Sequence, residues 1–319
     1  MIGVSAVLMA TTLVVSATEA ARAPDAIDRA GSTAAEAPHT STQTAPAAKA
    51  VIKNRTRYRP TVRIPAPPRI AGRSWAAVDL RTGNVLAVHR PRVRLAPGST
   101  MKVLTAITAV RRLAPTPRHR VTRREAGMEC SCAGLIAGRR YARRDLLAGL
   151  LMPSGNDAAE AIAGSDPVSR GAFIGAMNGN ARRLHLPNTH AGNPSGLDHP
   201  GGFTSAKDLL TLLRVAYRND RVAPYLDLRR TTFGPVGGPR KVIEHGTPYV
   251  RDYRNSIAAK SGTTSRAGKV LVAFTRVDGR VIGVALMNSP GDRVTTDLRA
   301  MTYWLARYRE RLLPVGHLP

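Results

Sequence analysis

Two short runs near the start of the folded region, Ser74–Leu80 and Val85–His89, crowd apolar residues on either side of Thr82-Gly83-Asn84. That pattern predicts a β-hairpin. Helical spacing then takes over. Met101–Leu113, Ala142–Met152, Asp157–Ala163, Gly171–Leu184 and Ser205–Tyr217 each read as a helix, the last with Asp208 in its first turn. Strand signals return late in the chain. Ile257–Lys260 is a short one, and Lys269–Val277 and Val281–Asn288 flank the hairpin-turn pair Asp278-Gly279. Leu298–Leu313 reads as a closing helix. Strands, a helical middle, strands and a last helix predict an α/β (α+β) fold, with an antiparallel sheet whose edge strands come from both ends of the domain. No internal repeat is visible.

The first 72 residues lack this periodicity. Residues 24–72 are rich in Ala, Pro, Thr and Ser, turn basic between Lys49 and Arg69, and read as a disordered linker. Residues 1–23 carry the apolar run Ile2–Val15 and the small-x-small triplet Ala21-Arg22-Ala23. They read as a signal peptide or N-terminal anchor. The run is short for a membrane span. The expectation is an exported protein with one folded domain over residues 73–313, lying on the extracellular or cell-wall side of the membrane.

Composition narrows the partners without choosing one. Hydrophobic residues make up 43% of the chain but aromatics only 4%, so the core must be built from Ala, Val, Leu and Ile. The formal net charge is +27, and arginine supplies all but seven of the 48 basic residues. Such a surface favours anionic partners: nucleic acid, acidic phospholipid and anionic wall polymers all qualify. Cys130 and Cys132 are one residue apart, which allows a local disulfide in an oxidising compartment or two free thiols. No histidine lies at ligand spacing near them, and the eight histidines form no HExxH-like set, so no metal is expected.

Three small motifs carry chemistry. In Pro97-Gly98-Ser99-Thr100-Met101-Lys102, a turn leads into a helix that puts Ser99 and Lys102 on one face. A serine hydroxyl needs a base, and a lysine is a base only when neutral, which burial or a second cation enforces. Ser154-Gly155-Asn156 lies in a loop after Pro153 and before the helix at Asp157. Lys260-Ser261-Gly262-Thr263 closes a short strand, where a Lys and a hydroxyl grip a carboxylate and Gly262 lets a ligand come close. Taken singly, each has an ordinary structural explanation: a helix cap with a surface lysine, an interhelical turn, a strand terminus. Together and in this order, S-x-x-K, S-x-N and K-[ST]-G form the signature of β-lactamases and penicillin-binding proteins.

The chain resembles the D-alanyl-D-alanine carboxypeptidases, the low-molecular-weight penicillin-binding proteins of serine peptidase family S11. The resemblance covers about residues 74–310. Beyond the three motifs it rests on Leu150–Ala159, Met177-Asn178, Asn193–Asp198, Thr264 and Ala267-Gly268. It implies a β-lactamase/transpeptidase-like fold, an antiparallel sheet flanked by helices with a helical subdomain. It implies a nucleophile at Ser99, a base at Lys102 and a proton relay at Ser154. Asn156 would steady the substrate amide, Lys260 and Ser261 would hold the terminal carboxylate, and Thr263 with Ser99 would supply oxyanion-hole N–H groups. The implied partners are stem peptides ending in D-Ala-D-Ala and β-lactams as inhibitors, with no cofactor and no nucleic acid. Members usually have Thr where Ser261 stands. Many carry a C-terminal β-domain and anchor, and since this chain stops soon after its last helix, membrane contact is expected through the N-terminus only. The reading further requires Lys102 to lie buried within hydrogen-bond reach of Ser99 and Ser154, facing Lys260 across one cleft.

Two alternatives remain open on the residues. A class A β-lactamase normally shows Ser-Asp-Asn and a downstream Glu, whereas this chain has Gly155 and no Glu between His185 and Asp198. A non-catalytic basic protein that binds the cell wall would account for the arginine excess alone.

Overall fold

A computed structural model describes residues 64–114 and 118–319. The expected signal segment 1–23 and most of the expected linker lie outside the described residues. The hairpin comes first, β1 (Ser74–Asp79) and β2 (Asn84–His89). A single 3-10 turn (Gly98–Met101) then leads into α1 (Lys102–Arg112). A helical layer follows, interrupted by a small two-stranded ladder. It comprises β3 (Arg118–Arg120), α2 (Arg123–Ala126), β4 (Arg140–Ala142), α3 (Arg143–Leu151), α4 (Asn156–Gly164), α5 (Arg170–Arg183) and α6 (Ala206–Tyr217). Next come a second small hairpin, β5 (Arg230–Phe233) with β6 (Lys241–Glu244), and the short α7 (Pro248–Asp252). The chain closes with β7 (Ser256–Thr264), β8 (Gly268–Val277), β9 (Arg280–Ser289), α8 (Arg293–Tyr308) and the two-residue β10 (Gly316–His317).

The main sheet is antiparallel, in the order β10-β2-β1-β9-β8-β7. Its two sequence-distant halves join where β1 pairs β9, Ala76 opposite Ala285. The central strands are buried on both faces, which explains their apolar runs. Ala76, Val78, Val272, Phe274 and Ala285 pack toward the helical layer. Trp75, Ala77, Leu271, Ala273 and Val284 pack toward α8, where Leu298, Met301 and Leu305 close a second core. The alanines of β1 let helices approach closely on either side, which suits a chain poor in aromatics.

The predicted architecture stands, with differences at its edges. β7 runs nine residues rather than four, so the Lys260 motif lies inside the strand and not at its end. α8 starts at Arg293, straight after the Pro290-Gly291-Asp292 break, and ends at Tyr308; its polar first turn hides it from a hydrophobic pattern. The folded unit also exceeds 73–313. Ala71 N donates to Asp297 Oδ2 at 2.8 Å, Trp304 Nε1 donates to Pro65 O at 3.1 Å, and β10 covers the exposed edge of β2, with Leu318 buried. Residues 64–72 are therefore laid down on α8 rather than forming linker.

Phe274 is fully buried and meets the Tyr217 ring of α6 edge-on, with centroids 5.9 Å apart. Phe274→Ala should destabilise the domain by about 3–5 kcal/mol, through lost transfer energy and the cavity left behind. Urea unfolding would read this as a lower midpoint at an unchanged slope.

Candidate active site

The nucleophile turn is built by backbone constraints. Gly98 sits at φ +52, a left-handed conformation that favours glycine, and it turns the chain so that Ser99 opens the 3-10 turn ahead of α1. α1 is the central helix of its layer, and Lys102 through Ala109 are all buried. Lys102 is thus carried into the core as part of an apolar helix, with no exposed surface.

Three acceptors meet Lys102 Nζ: Ser99 Oγ at 2.8 Å, Asn156 Oδ1 at 2.7 Å and the Ser195 carbonyl at 2.9 Å. A neutral amine has two N–H bonds and one lone pair. The amide and carbonyl oxygens can only accept, so they match the two N–H bonds, and the Ser99 hydroxyl can donate to the lone pair. The surroundings favour that state. Burial pushes Lys102 well below its ordinary pKa, and the positive charge of Lys260 pushes it further. Asp157 acts in the opposite sense, but its oxygens are occupied by the backbone N–H groups of Ala133, Gly134 and Leu135.

Lys260, also buried, projects from β7 and donates to Ser154 Oγ at 2.8 Å and to the Ser261 carbonyl at 2.8 Å. One of its three ammonium N–H bonds has no protein acceptor among the described residues. Burial lowers its pKa to about 7. Ser154 is held at φ +65, unusual for a non-glycine residue. Gly155 N donates to Gly149 O, and Asn156 N donates to Ser131 O at 2.7 Å, so the loop is pinned on both sides.

The structure brings Ser99, Lys102, Ser154, Asn156 and Lys260 into one cluster but distributes their contacts differently from expectation. Ser154 lies on Lys260, not on Lys102. The oxygen that reaches Lys102 from this loop belongs to Asn156, because α4 begins there and aims the side chain inward. Asn156 was expected to steady a substrate amide. Here both ends of its amide are used: Oδ1 accepts from Lys102, and Nδ2 donates to the Glu129 carbonyl at 2.6 Å. Ser261 Oγ is hydrogen-bonded to Thr247 Oγ1 at 2.9 Å, and Thr263 is exposed on the strand beyond. Between them Gly262 packs on the nucleophile turn. A methyl group on Gly262 would come 2.5 Å from Ser99 N, and one on Gly98 would come 3.2 Å from Thr263 N. The backbones that carry the Ser99 and Thr263 amides are therefore in direct contact.

Several supporting residues were not picked out from the sequence. Ser195, in the family-like segment Asn193–Asp198, contributes a carbonyl, which no side-chain pattern reveals. Asp198 accepts from Thr264 Oγ1, Ser265 Oγ and Arg266 N and fixes the end of β7. Thr247 braces Ser261, and its own N–H donates to Nδ1 of the fully buried His245. Burial and the nearby Lys260 charge depress the His245 pKa to about 3. Cys130 and Cys132 form a disulfide, with Cα atoms 4.7 Å apart. It closes a tight loop over Ser131, directly after Glu129, and the carbonyls of these two residues hold Asn156. Among the described residues no group of three or more His, Cys, Asp or Glu could hold a metal, and no helix is long and apolar enough to cross a membrane.

Comparison with known proteins assigns the chain to a family. The family model for peptidase S11, D-alanyl-D-alanine carboxypeptidase, matches residues 61–291. The chain belongs to this family. It is 34% identical over 233 residues to the D-alanyl-D-alanine carboxypeptidase DacB2 of Mycobacterium tuberculosis, an alignment covering 72% of this chain and 78% of that one. It is 30% identical to the D-alanyl-D-alanine carboxypeptidase DacC of Escherichia coli, over 78% of this chain but only 64% of the longer relative. Among solved structures, a D-alanyl-D-alanine carboxypeptidase from Mycobacterium tuberculosis superposes with a TM-score of 0.72 at 31% identity, covering 82% of this chain and 98% of that one. The Streptomyces K15 DD-transpeptidase superposes with a TM-score of 0.70 at 25% identity, covering 75% and 98%. The S11 chain therefore has the transpeptidase-like fold anticipated from its motifs and is a serine-type DD-peptidase.

Two outcomes test this geometry. Gly262→Ala should leave the fold intact but displace Ser99, lowering acylation by about 10²-fold, the cost typical of a 1 Å misplacement; stopped-flow labelling would measure it. His245 bears on stability. The unfolded chain takes up a proton below about pH 6.5 that folded His245 refuses until about pH 3, so stability falls as pH drops through that window. His245→Asn, which keeps an acceptor for Thr247 N–H, should remove up to about 1.4 kcal/mol per pH unit of that fall, read by denaturant titration at pH 6.5, 5.5 and 4.5.

Proposed function

We propose that this S11 enzyme removes the terminal D-Ala from peptidoglycan stem peptides through an ester on Ser99. The observation that carries the reading is the buried lysine, Lys102, placed 2.8 Å from the Ser99 hydroxyl in surroundings that disfavour its charge.

Ser99 Oγ attacks the carbonyl carbon of the penultimate D-Ala, and Lys102 Nζ takes the hydroxyl proton. The oxyanion that forms is met by the backbone N–H groups of Ser99 and Thr263. Lys260, with its open N–H, and the Ser261 hydroxyl receive the terminal carboxylate. A grip of that kind suits a chain end. Drawing Lys260 onto the carboxylate loosens its hold on Ser154, whose hydroxyl then relays the proton from Lys102 to the leaving nitrogen. The C–N bond breaks and D-Ala departs. Lys102, neutral again, activates a water that hydrolyses the ester and restores Ser99. Asn156 acts here as the brace that holds Lys102 in line. A β-lactam presents a carbonyl and a carboxylate at similar spacing and would acylate Ser99 in the same way. A substrate of this class lies outside the cytoplasm, which supports export, with residues 1–23 as the export segment or an N-terminal anchor.

Release of D-Ala from a peptide ending in D-Ala-D-Ala, together with a long-lived fluorescent-penicillin adduct, is the expected result, and both should vanish in Ser99→Ala and Lys102→Ala. Wild-type protein that releases no D-Ala and takes no label would overturn the proposal, while rapid turnover of the drug would mark a β-lactamase. The pH profile has a definite sign. Productive enzyme needs Lys102 neutral and Lys260 charged, and Lys260 loses its proton near pH 7 in the empty site. The ratio kcat/KM should therefore fall above about pH 7, whereas kcat, with the carboxylate holding that proton on, should fall only at higher pH. Lys260→Arg stays charged throughout and should lose the alkaline limb whatever rate remains.

A further inference from the structure

At the opposite end of α3 from the Ser154 loop lies a second polar site. Arg143, the first residue of α3, is 7% exposed. Its Nη1 donates to the Ala109 carbonyl in the last turn of α1 at 3.4 Å, a long contact. Its Nε is buried with no partner, and no carboxylate pairs with it among the described residues. Burial acts on this guanidinium without a compensating charge. A buried cation left in this state is costly.

Arg143 lies between two cavities. One, of about 520 Å³, is also lined by Arg118, Arg144 and Arg240. The other, of about 170 Å³, is lined by Leu113, Leu147, Tyr225, Asp220 and Arg221. The only carboxylate lining the larger cavity is Asp145. Arg240 binds it at 2.6 Å, with Arg144 at 3.7 Å. Four guanidinium groups therefore face one carboxylate. That surplus suits a phosphate or phosphodiester better than a single carboxylate, and the planar N–H fork of arginine matches its oxygens.

We propose that the larger cavity binds a phosphate-type oxyanion on Arg143, with Arg118, Arg144 and Arg240 around it. The site is separate from the Ser99 cleft. The nine-residue helix between them spans roughly 13 Å, and none of the four arginines touches the catalytic groups. The anion has two sources, a free phosphate ion or a phosphodiester of an anionic wall polymer.

The test is equilibrium dialysis of the full chain against radiolabelled inorganic phosphate and, separately, a poly(glycerol phosphate), in chloride of matched ionic strength. Saturable binding is expected in wild type. It should weaken at least about tenfold in Arg143→Met, since a charged hydrogen-bond partner is lost, and also in Arg240→Gln, but not in the surface control Arg276→Gln. Arg143→Met should be no less stable than wild type in phosphate-free buffer, because it removes an unpaired buried charge, whereas a purely structural arginine would make it less stable. Polymer binding at lower concentration per phosphate assigns the polymer as the source, and binding of inorganic phosphate alone assigns the free ion. No saturable binding of either, or equal binding in Arg143→Met and Arg240→Gln, overturns the site. D-Ala release by each variant checks its fold and keeps this result distinct from failure of the peptidase reading.

Discussion

The architecture of the site depends on keeping one ammonium group out of water. A lysine at the surface is protonated at neutral pH and useless as a base. Lys102 escapes this because it rides on a helix whose neighbours, Val103, Leu104, Ala106 and Ile107, are all core residues. Its burial follows from where α1 packs, between the sheet and the surrounding helices. The fold therefore supplies the desolvation, and the site supplies only three well-placed oxygens. The same apolar packing that stabilises the domain sets the protonation state of its base.

A second lysine makes the arrangement directional. Lys102 and Lys260 are both buried, and two charges in one dry cluster repel strongly. The structure resolves the conflict by giving them different partners. Lys102 has acceptors for two N–H bonds and a hydroxyl for its lone pair. Lys260 donates to Ser154 and to the Ser261 carbonyl and keeps one N–H without a protein acceptor among the described residues. Three consecutive residues divide the contacts, with Ser154 on Lys260 and Asn156 on Lys102. That division requires a rigid loop, which explains how much backbone is spent on it. The strained φ of Ser154 is held by Gly155 and Asn156 N–H bonds, by the Asp157 carboxylate capturing four amides, and by the Cys130–Cys132 loop that presents the Glu129 and Ser131 carbonyls.

Much of this was legible in the sequence where the physics is local. Periodicity marked α1, α6 and the β8–β9 hairpin because each carries a clear apolar pattern. The three short motifs marked the cluster because their order is distinctive. What was hidden has physical reasons. β3, β4, β5 and β6 are three or four residues long and rich in Arg and Thr, with Tyr141, Phe233 and Ile243 as their only buried apolar side chains, too few to form a hydrophobic pattern. The contacts of Ser154 and Asn156 depend on a left-handed backbone residue and on the start of α4, which spacing cannot resolve. The Ser195 carbonyl and the Thr247–His245 brace come from segments far away in the chain. Only the tertiary fold makes them neighbours of the cluster.

The excess of positive charge is not what depresses Lys102. Most of the arginines among the described residues are exposed, and at physiological ionic strength exposed charges more than about 8 Å apart are largely screened from one another. Lys102, buried at the first turn of α1, is governed instead by the groups packed around it. What depresses Lys102 is its own burial and the nearby Lys260, with Asp157 opposing them. The site should therefore work alike in a relative of ordinary net charge, provided α1 remains in the core and β7 stays pressed against the nucleophile turn at Gly262. The arginine surface is then free to serve another purpose, and Arg143, drawn inside without a counter-ion, is where that surplus becomes structurally specific.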